Sequence, residues 1–265
     1  MKQTLSVRFL FVMVLLSVLS ALIAGSIFGT MDLSILSGAN PGLTTYLAMF
    51  MGQGFLIVPV FFYLKRKKFN LIDSFRLNVV SKEIIYTTFF ISIGAMILSD
   101  ELNILIGMII PIPDSFLQIE TLLKPEEPFS LALLIITIVI IAPIGEEFLF
   151  RGFLQTGLEK AWNDVTKAIL FSSLFFAVIH FNPFWIIQIY VLGVLLGFLA
   201  WKTNSIIPCI IFHVIINATS LFFTSIEDNI EPIIFWNGHI NPILIFIGGI
   251  SFWYGFKRLN AKGVI

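Results

Sequence analysis

The segment APIGEEFLFRGF, residues 142–153, places two adjacent glutamates and an arginine in a strongly apolar part of the chain. Glu147 and Arg151 are four residues apart, so on a helix they share one face and can form an ion pair. Glu146 lies about 100° around the same helix and has no partner on it. A buried carboxylate without such a partner is a candidate for acid–base chemistry.

Two further apolar runs carry polar residues at the spacing of a helix face. His213 and Asn217 are four apart in HVIIN, and Phe176 and His180 are four apart in FAVIH. The chain has only three histidines, so two of them lie in these runs. We therefore expect three helices to present one polar face each.

A carboxylate, two imidazoles and a carboxamide are the groups of a hydrolytic site. Glu146 could be the general base acting on water, and His180 could hold or polarise that water. His213 and Asn217 could donate hydrogen bonds to the oxyanion of a tetrahedral intermediate. Glu146, His180 and His213 would equally suit a zinc ion that activates the water, although the H-E-x-x-H motif is absent. We predict no required cofactor, with zinc as the alternative.

The other candidates are interpreted as supporting residues. Glu147 and Arg151 are predicted to neutralise each other inside the membrane, and Phe176 is predicted to pack. The third histidine, His239, lies beside Trp236 in a loop, where an interfacial position is expected.

Composition defines the elements that must position these residues. The chain has 265 residues, of which 58% are hydrophobic and only 12% are charged, whereas soluble domains are about 25% charged. This is typical of a polytopic helical membrane protein. The net charge is zero, so no nucleic-acid partner is indicated. The single cysteine, Cys209, excludes an intrachain disulfide and a multi-cysteine metal cluster.

Runs of about 20 apolar residues predict some eight membrane-spanning helices. The first is longer than a signal-peptide core, so a retained helix is preferred to a cleaved leader. The segment Asn103–Pro113 is too short to span and is interpreted as re-entrant or interfacial. The predicted spans lie near residues 9–28, 44–64, 83–99, 130–150, 167–181, 184–201, 205–224 and 240–256.

Lysine and arginine placement predicts the orientation. If each run crosses once, the basic loop 65–82, Lys160, Lys167, Lys202 and Lys257 all fall on one side. The opposite side is rich in acidic residues. Both termini are therefore predicted to be cytoplasmic, in a multi-pass protein of the cell membrane.

The same markers give the depth of the candidate residues. Counting about 1.5 Å per residue from the nearest such lysine places all four candidate catalytic residues roughly 16–22 Å deep, near the middle of an apolar layer about 30 Å thick. This requires one helix over about 130–160, with a kink near Pro143 and Gly145. A helix ending at Phe150 would instead leave Glu146 near the surface.

EEFLFR, FAVIH and HVIIN, in this order and each on its own apolar helix, resemble the EExxxR, FxxxH and HxxxN motifs of the CAAX-protease and bacteriocin-processing (CPBP) family of intramembrane proteases. The resemblance covers roughly residues 131–222. It implies an α-helical membrane fold with the site among the last helices. It also implies that Glu146 is the base, His180 its partner and His213 with Asn217 near the oxyanion. Eukaryotic CAAX-processing members remove a C-terminal tripeptide after a prenylated cysteine.

We accordingly divide the chain into three regions. Residues 1–129 hold N-terminal transmembrane helices that could select substrate, residues 130–225 the catalytic core, and residues 226–265 an outer loop, a final helix and a basic tail. The predicted substrate is a peptide or protein segment reaching the site from the bilayer or the cytoplasmic face. The alternative to an endopeptidase is a transporter or bacteriocin-immunity protein, because buried carboxylates and histidines also form proton or ion relays.

Overall fold

A computed structural model describes residues 5–29, 41–111, 113 and 124–261, without the side chains of residues 225–230. Part of the predicted outer loop, 114–123, and the end of the predicted basic tail, 262–265, lie outside the described residues.

Helices make up nearly all of the described chain, which confirms the predicted all-α fold. A two-stranded antiparallel hairpin separates the last two helices. In chain order the elements are α1 (Val7–Gly29), α2 (Leu43–Phe55), α3 (Val58–Arg66), α4 (Leu71–Phe75), α5 (Lys82–Ile109), α6 (Pro128–Trp162), α7 (Val165–Val178), α8 (Ile186–Thr203), α9 (Ile207–Ile234), β1 (Phe235–Trp236), β2 (His239–Ile240) and α10 (Pro242–Ala261).

Every predicted apolar run coincides with a helix. Within the described ranges, six spans are long and apolar enough to cross a membrane: α1, α2 with α3, α5, α6, α8 and the first part of α9. The other two predicted spans are α7, which has 14 residues, and α10, which carries Lys257 and Arg258 near its end. The chain is therefore a polytopic helical bundle and an integral membrane protein.

Helix α5 differs from its prediction. It has 28 residues and continues to Ile109, so the re-entrant alternative for Asn103–Pro113 was wrong, and its interfacial position stays a prediction. Asp100 and Glu101 interrupt the apolar pattern, but they do not break backbone hydrogen bonding. The first residue that cannot continue the helix is Pro111, which lacks an N–H.

Helix α6 runs unbroken for 35 residues, as its predicted length required. Two stretches of it, Ile136–Ile141 and Phe148–Gln155, are π-helical. In the first stretch the Ala142 N–H donates to the carbonyl five residues earlier, that of Thr137. A kink was predicted near Pro143 and Gly145, and π-helical stretches lie on either side of these residues.

The centre of the bundle is the buried face of α6. Leu149, Leu154 and Leu158 are fully buried there and pack with Leu10 of α1 and Leu64 of α3. Inside a bilayer, close packing and hydrogen bonds rather than exclusion of water hold helices together. The N-terminal helices therefore contribute directly to the core that fixes α6.

Two glycines of α8 allow α6 to approach closely. Arg151 Nη2 donates to the Gly193 carbonyl at 3.1 Å, and Gln155 Nε2 donates to the Gly197 carbonyl at 2.9 Å. A Cβ at Gly197 would lie 2.9 Å from Gln155 Oε1. The two side chains are one helical turn apart, as are the two carbonyls, so α6 and α8 are held in register beside the site.

Candidate active site

Glu146 is the point at which three helices converge. It lies on α6 and is only 6% exposed. Its Oε2 is 3.9 Å from His180 Nε2, at the end of α7, and 3.8 Å from His213 Nε2, on α9. These distances are longer than a hydrogen bond. They suit groups bridged by one small molecule such as water. The structure thus brings together three of the four residues predicted to be catalytic.

The orientation of His180 is fixed by its own helix end. Its Nδ1 lies 2.7 Å from the Phe176 carbonyl. A carbonyl can only accept, so Nδ1 carries the hydrogen and Nε2 is the nitrogen that faces Glu146. The backbone of the next residue, Phe181, is left-handed, with φ of 51°, and the chain turns there from α7 towards α8. The four-residue spacing of FxxxH therefore lets the backbone carbonyl of Phe176 orient the His180 ring.

His213 is oriented by Glu147. Its Nδ1 lies 2.9 Å from Glu147 Oε1, and a carboxylate is an acceptor, so Nδ1 donates. Nε2 of the same ring then faces Glu146. The two neighbouring glutamates consequently contact opposite edges of one imidazole.

Glu147 and Arg151 form the predicted ion pair. Arg151 Nη1 is 3.2 Å from Glu147 Oε1, and both side chains are fully buried. The guanidinium also lies over the Phe176 ring, 4.1 Å from its centroid, a cation–π contact. Phe176 is thus more than the packing residue that was predicted, because its ring covers the arginine and its carbonyl holds His180.

Asn217 has a structural contact that the sequence did not predict. Its Nδ2 donates to the Ile138 carbonyl at 2.9 Å. In the π-helical register of Ile136–Ile141 the donor to that carbonyl would be residue 143. Pro143 has no N–H, so the carbonyl would otherwise lack a partner. One hydrogen of the Asn217 amide therefore supports α6, and the second is free of that contact.

A large cavity opens onto these residues. It has a volume of about 910 Å³ and is lined by Glu146, His180, His213 and Asn217 on one side. The opposite side belongs to α1 and α2, which pack closely on each other at Gly25 and Gly52. Ligand pockets generally measure about 300–1,000 Å³. The cavity is therefore large enough to hold a short peptide segment against the cluster.

A second, smaller cavity reaches the cluster from the direction of α5. It measures about 240 Å³ and is also lined by His180, His213 and Asn217, together with Gln188 and Asp100. A third cavity of about 430 Å³ shares Asp100 with it. An ionisable residue within a membrane helix generally faces a wet cavity. Asp100 of α5 lines both of these smaller cavities.

The sequence did not predict the residues that line this second cavity, such as Gln188 and Ser99. Gln188 Nε2 donates to Ser99 Oγ at 2.9 Å and to the Ser99 carbonyl at 3.2 Å, which joins α8 to α5. Asp100 is one of the acidic residues on the side that lysine and arginine placement predicts to be outside. The sequence feature that could have indicated this contact is Gln188, a polar residue within the apolar run 184–201.

The donors around Glu146 have the chemistry of a catalytic zinc site, one carboxylate oxygen and two imidazole nitrogens. Zinc bonds of about 2.0–2.1 Å in tetrahedral geometry place neighbouring donors about 3.3 Å apart, whereas the distances here are 3.8 and 3.9 Å. Among the described residues, no group of three or more His, Cys, Asp or Glu side chains is arranged to hold a metal ion. The three side chains would have to draw together by about half an ångström to bind zinc.

His239 lies away from this cluster. Its Nδ1 is 2.8 Å from Glu101 Oε1, and it belongs to strand β2 rather than to a loop. The contact ties the hairpin to α5.

The fold and the cluster together define a class, an all-α integral membrane protein with a buried carboxylate between two imidazoles. Residues 128–219 match a family model described as type II CAAX prenyl endopeptidase Rce1-like. The matched segment contains every motif residue discussed above, and it confirms the resemblance to the CAAX-protease family. At the level of the family it supports an endopeptidase of the CAAX-protease type. No curated protein and no solved structure was found to match the chain.

Proposed function

We propose that this protein is an intramembrane endopeptidase that hydrolyses a peptide bond with a water molecule activated by Glu146. The observation that carries the proposal is the convergence of Glu146 Oε2 with the Nε2 atoms of His180 and His213 at 3.8–3.9 Å, beside a cavity of about 910 Å³. The match of residues 128–219 to the CAAX-protease type supports it.

In the proposed reaction Glu146 accepts a proton from water while the water oxygen attacks the scissile carbonyl carbon. A C–O bond forms, and the carbonyl oxygen becomes an oxyanion. His180, held by the Phe176 carbonyl, orients the water through Nε2. His213, in its protonated form, and the second N–H of Asn217 donate to the oxyanion. The C–N bond then breaks, and the leaving amine takes the proton from Glu146.

The supporting residues act by placement. Glu147 holds His213 through Nδ1, so the ring cannot turn its Nε2 away from Glu146. Arg151 balances the charge of Glu147 and fixes α6 to α8 through the Gly193 carbonyl. Exchanging any of these would misplace reactive atoms, and displacements of about 1 Å already cost large factors in rate.

The proposed substrate is a peptide or protein segment that reaches the bilayer. The wide cavity lies between the catalytic helices and α1 with α2, so residues 1–129 supply the surface on which the substrate is selected. Water arrives through the narrower cavity beside Gln188. If zinc binds, Glu146, His180 and His213 would hold it, and it would supply a Lewis acid at the same water position.

The experiment that tests this function compares membrane proteomes of cells making the wild type, Glu146→Gln or Glu127→Gln. Glu127 is an exposed glutamate at the start of α6, so its exchange is a matched control. We expect N- or C-terminal fragments that are present with the wild type and Glu127→Gln and absent with Glu146→Gln. Identical fragment patterns in all three would contradict the proposal and favour the transporter or immunity class.

A further inference from the structure

A basic cavity lies at the C-terminal end of α6, away from Glu146. It measures about 290 Å³, and three of its lining side chains are lysines: Lys67, Lys68 and Lys160. Asp73 is the one carboxylate in the lining, which leaves two formal positive charges in excess. The lysines come from two separate elements, the end of α3 and the last turn of α6. The chain thus concentrates positive charge in a concave site.

The rest of the lining is divided between polar and apolar groups. Asn70, Ser74 and Thr156 add hydrogen-bonding groups, while Leu64 and Phe153 provide apolar surface. Lys67 and Lys68 follow directly on the apolar span α2–α3, and Lys160 lies in the last turn of α6, where the helices are predicted to leave the bilayer. A site that combines cations, hydroxyls and apolar walls at this level matches a phosphate head group attached to a glycerol backbone.

Lys68 adds an independent backbone observation. Helix α3 ends in a Schellman motif, in which the Phe69 N–H donates to the Leu64 carbonyl at 3.0 Å and the Lys68 N–H to the Lys65 carbonyl at 3.1 Å. Lys68 occupies the left-handed position of this motif, with φ of 56°. Glycine is the residue that fits this position without steric cost. A lysine at this left-handed position destabilises the fold relative to glycine. Its side chain lies in the cavity lining.

We infer that this cavity, defined by Lys67, Lys68 and Lys160, binds the phosphate head group of an anionic phospholipid. Lysine ammonium groups bind phosphate as point charges, and basic pockets between membrane helices recognise anionic head groups. The cavity opens at the membrane side predicted to be cytoplasmic. This binding site is independent of the proposed protease activity, because it shares no residue with the Glu146 cluster.

Native mass spectrometry of the purified full-length protein tests the inference with phosphatidylglycerol, phosphatidylcholine and inorganic phosphate as probes. We expect phosphatidylglycerol to bind at least tenfold more tightly than phosphatidylcholine. The double variant Lys67→Gln with Lys68→Gln should weaken phosphatidylglycerol binding by about 25-fold, or about fivefold for each charge. Lys65→Gln with Arg66→Gln removes the same charge from the same helix end, outside the cavity lining, and should change binding less than twofold.

Equal weakening in both double variants would overturn the site, since only general surface charge would then act. Absence of any preference for phosphatidylglycerol would overturn it as well. Displacement of the lipid by millimolar inorganic phosphate would assign the cavity to free phosphate instead.

The variant Lys68→Gly separates binding from folding. Glycine suits the left-handed backbone, so we expect the thermal midpoint without added lipid to rise, while phosphatidylglycerol affinity falls about fivefold. If affinity stayed unchanged, Lys68 would have only a structural role and the head-group assignment would be wrong.

Discussion

Glu147 contacts both a cation and an imidazole, and this double contact distinguishes it from its neighbour Glu146. Its Oε1 lies 3.2 Å from Arg151 Nη1 and 2.9 Å from His213 Nδ1. Glu146 makes no contact this short with either histidine. In the proposed mechanism the adjacent glutamates therefore have different tasks, Glu147 orienting His213 and Glu146 reacting with water.

Removing Glu147 should damage stability as well as activity. Glu147→Ala leaves the buried Arg151 without its carboxylate, and loss of one partner of a buried pair costs about 3–5 kcal/mol. We expect the free energy of unfolding, measured by denaturation in detergent, to fall by about 3 kcal/mol.

The control is the double variant Glu147→Leu with Arg151→Met, which removes both charges together. It should be more stable than either single variant, because no uncompensated charge remains. A Glu147→Ala protein with unchanged stability and no activity would contradict this account and make Glu147 a direct participant in the reaction.

Residue patterns predicted the Glu147–Arg151 pair because four-residue spacing on one helix determines which side chains meet. They did not predict the Glu147–His213 bond, because that contact depends on how α6 and α9 are rotated against each other. Depth along each helix is proportional to residue number, so the meeting of Glu146, His180 and His213 could be predicted. The hydrogen bonds that orient each ring could not.

At the scale of the element, the π-helical stretch Ile136–Ile141 of α6 leaves a backbone carbonyl that needs a donor from outside the helix, and Asn217 supplies it. Pro143 leaves the Ile138 carbonyl without a helical donor, and the Asn217 amide replaces it. The polar residue of the HxxxN pattern is therefore tied to the proline that precedes the glutamates.

This coupling predicts a double-mutant result. Asn217→Leu should lower the free energy of unfolding by about 1–3 kcal/mol, the cost of a buried acceptor left without a donor. In a Pro143→Ala background the alanine N–H can bond the carbonyl, so the same substitution should cost less. Equal costs in both backgrounds, measured by thermal denaturation, would show that Asn217 does not act through Ile138.

The contact between α5 and α10 depends on small residues. A Cβ at Gly94 would lie 2.5 Å from the Gly248 carbonyl oxygen and 2.5 Å from the Phe252 amide nitrogen. Backbone atoms cannot move aside as a side-chain tip can. Gly94→Ala should therefore lower the free energy of unfolding by about 2 kcal/mol through overpacking.

Gly107→Ala on the same helix is the matched control, since no atom lies within 4 Å of the added Cβ. It should be neutral or slightly stabilising, because alanine favours helix over glycine by about 1 kcal/mol. Similar melting midpoints for the two variants would argue against close packing of α5 on α10.

Hydropathy predicted the positions and order of the apolar helices, because an apolar run of sufficient length has few other solutions in a bilayer. It failed at the end of α5. Asp100 and Glu101 interrupt the apolar run, and the helix nevertheless continues to Ile109. A hydropathy boundary marks where the membrane environment changes, whereas a helix ends where backbone donors or acceptors are lost.

At the scale of the molecule, the cluster lies between two cavities of different character. The wide one borders α1 and α2, and the narrow one borders α5. In the proposed mechanism, substrate and water would approach Glu146 through these two separate cavities. Lys82 and Asp100 are about 27 Å apart along α5, so the predicted orientation puts them at opposite membrane faces.

Cysteine labelling tests both the water route and the orientation. In a Cys209→Ala background, Asp100→Cys should react with a charged, membrane-impermeant thiol reagent at least tenfold faster than Phe89→Cys. Phe89 lies between Lys82 and Asp100 on α5, is 47% exposed and contributes to none of the three site cavities. With intact cells, Asp100→Cys should react from outside, and Lys82→Cys only after permeabilisation. Reaction of both from the same side would refute the predicted topology.

The most direct test of the central claim uses the purified protein in liposomes and a quenched fluorescent peptide spanning a cleavage site found by the proteome comparison. The wild type should cleave it, Glu127→Gln should match the wild type, and Glu146→Gln should lose at least about 100-fold in kcat/KM, the contribution of a general base. The melting midpoint of Glu146→Gln should stay close to that of the wild type. Full activity in the Glu146→Gln protein would contradict the mechanism proposed for this site.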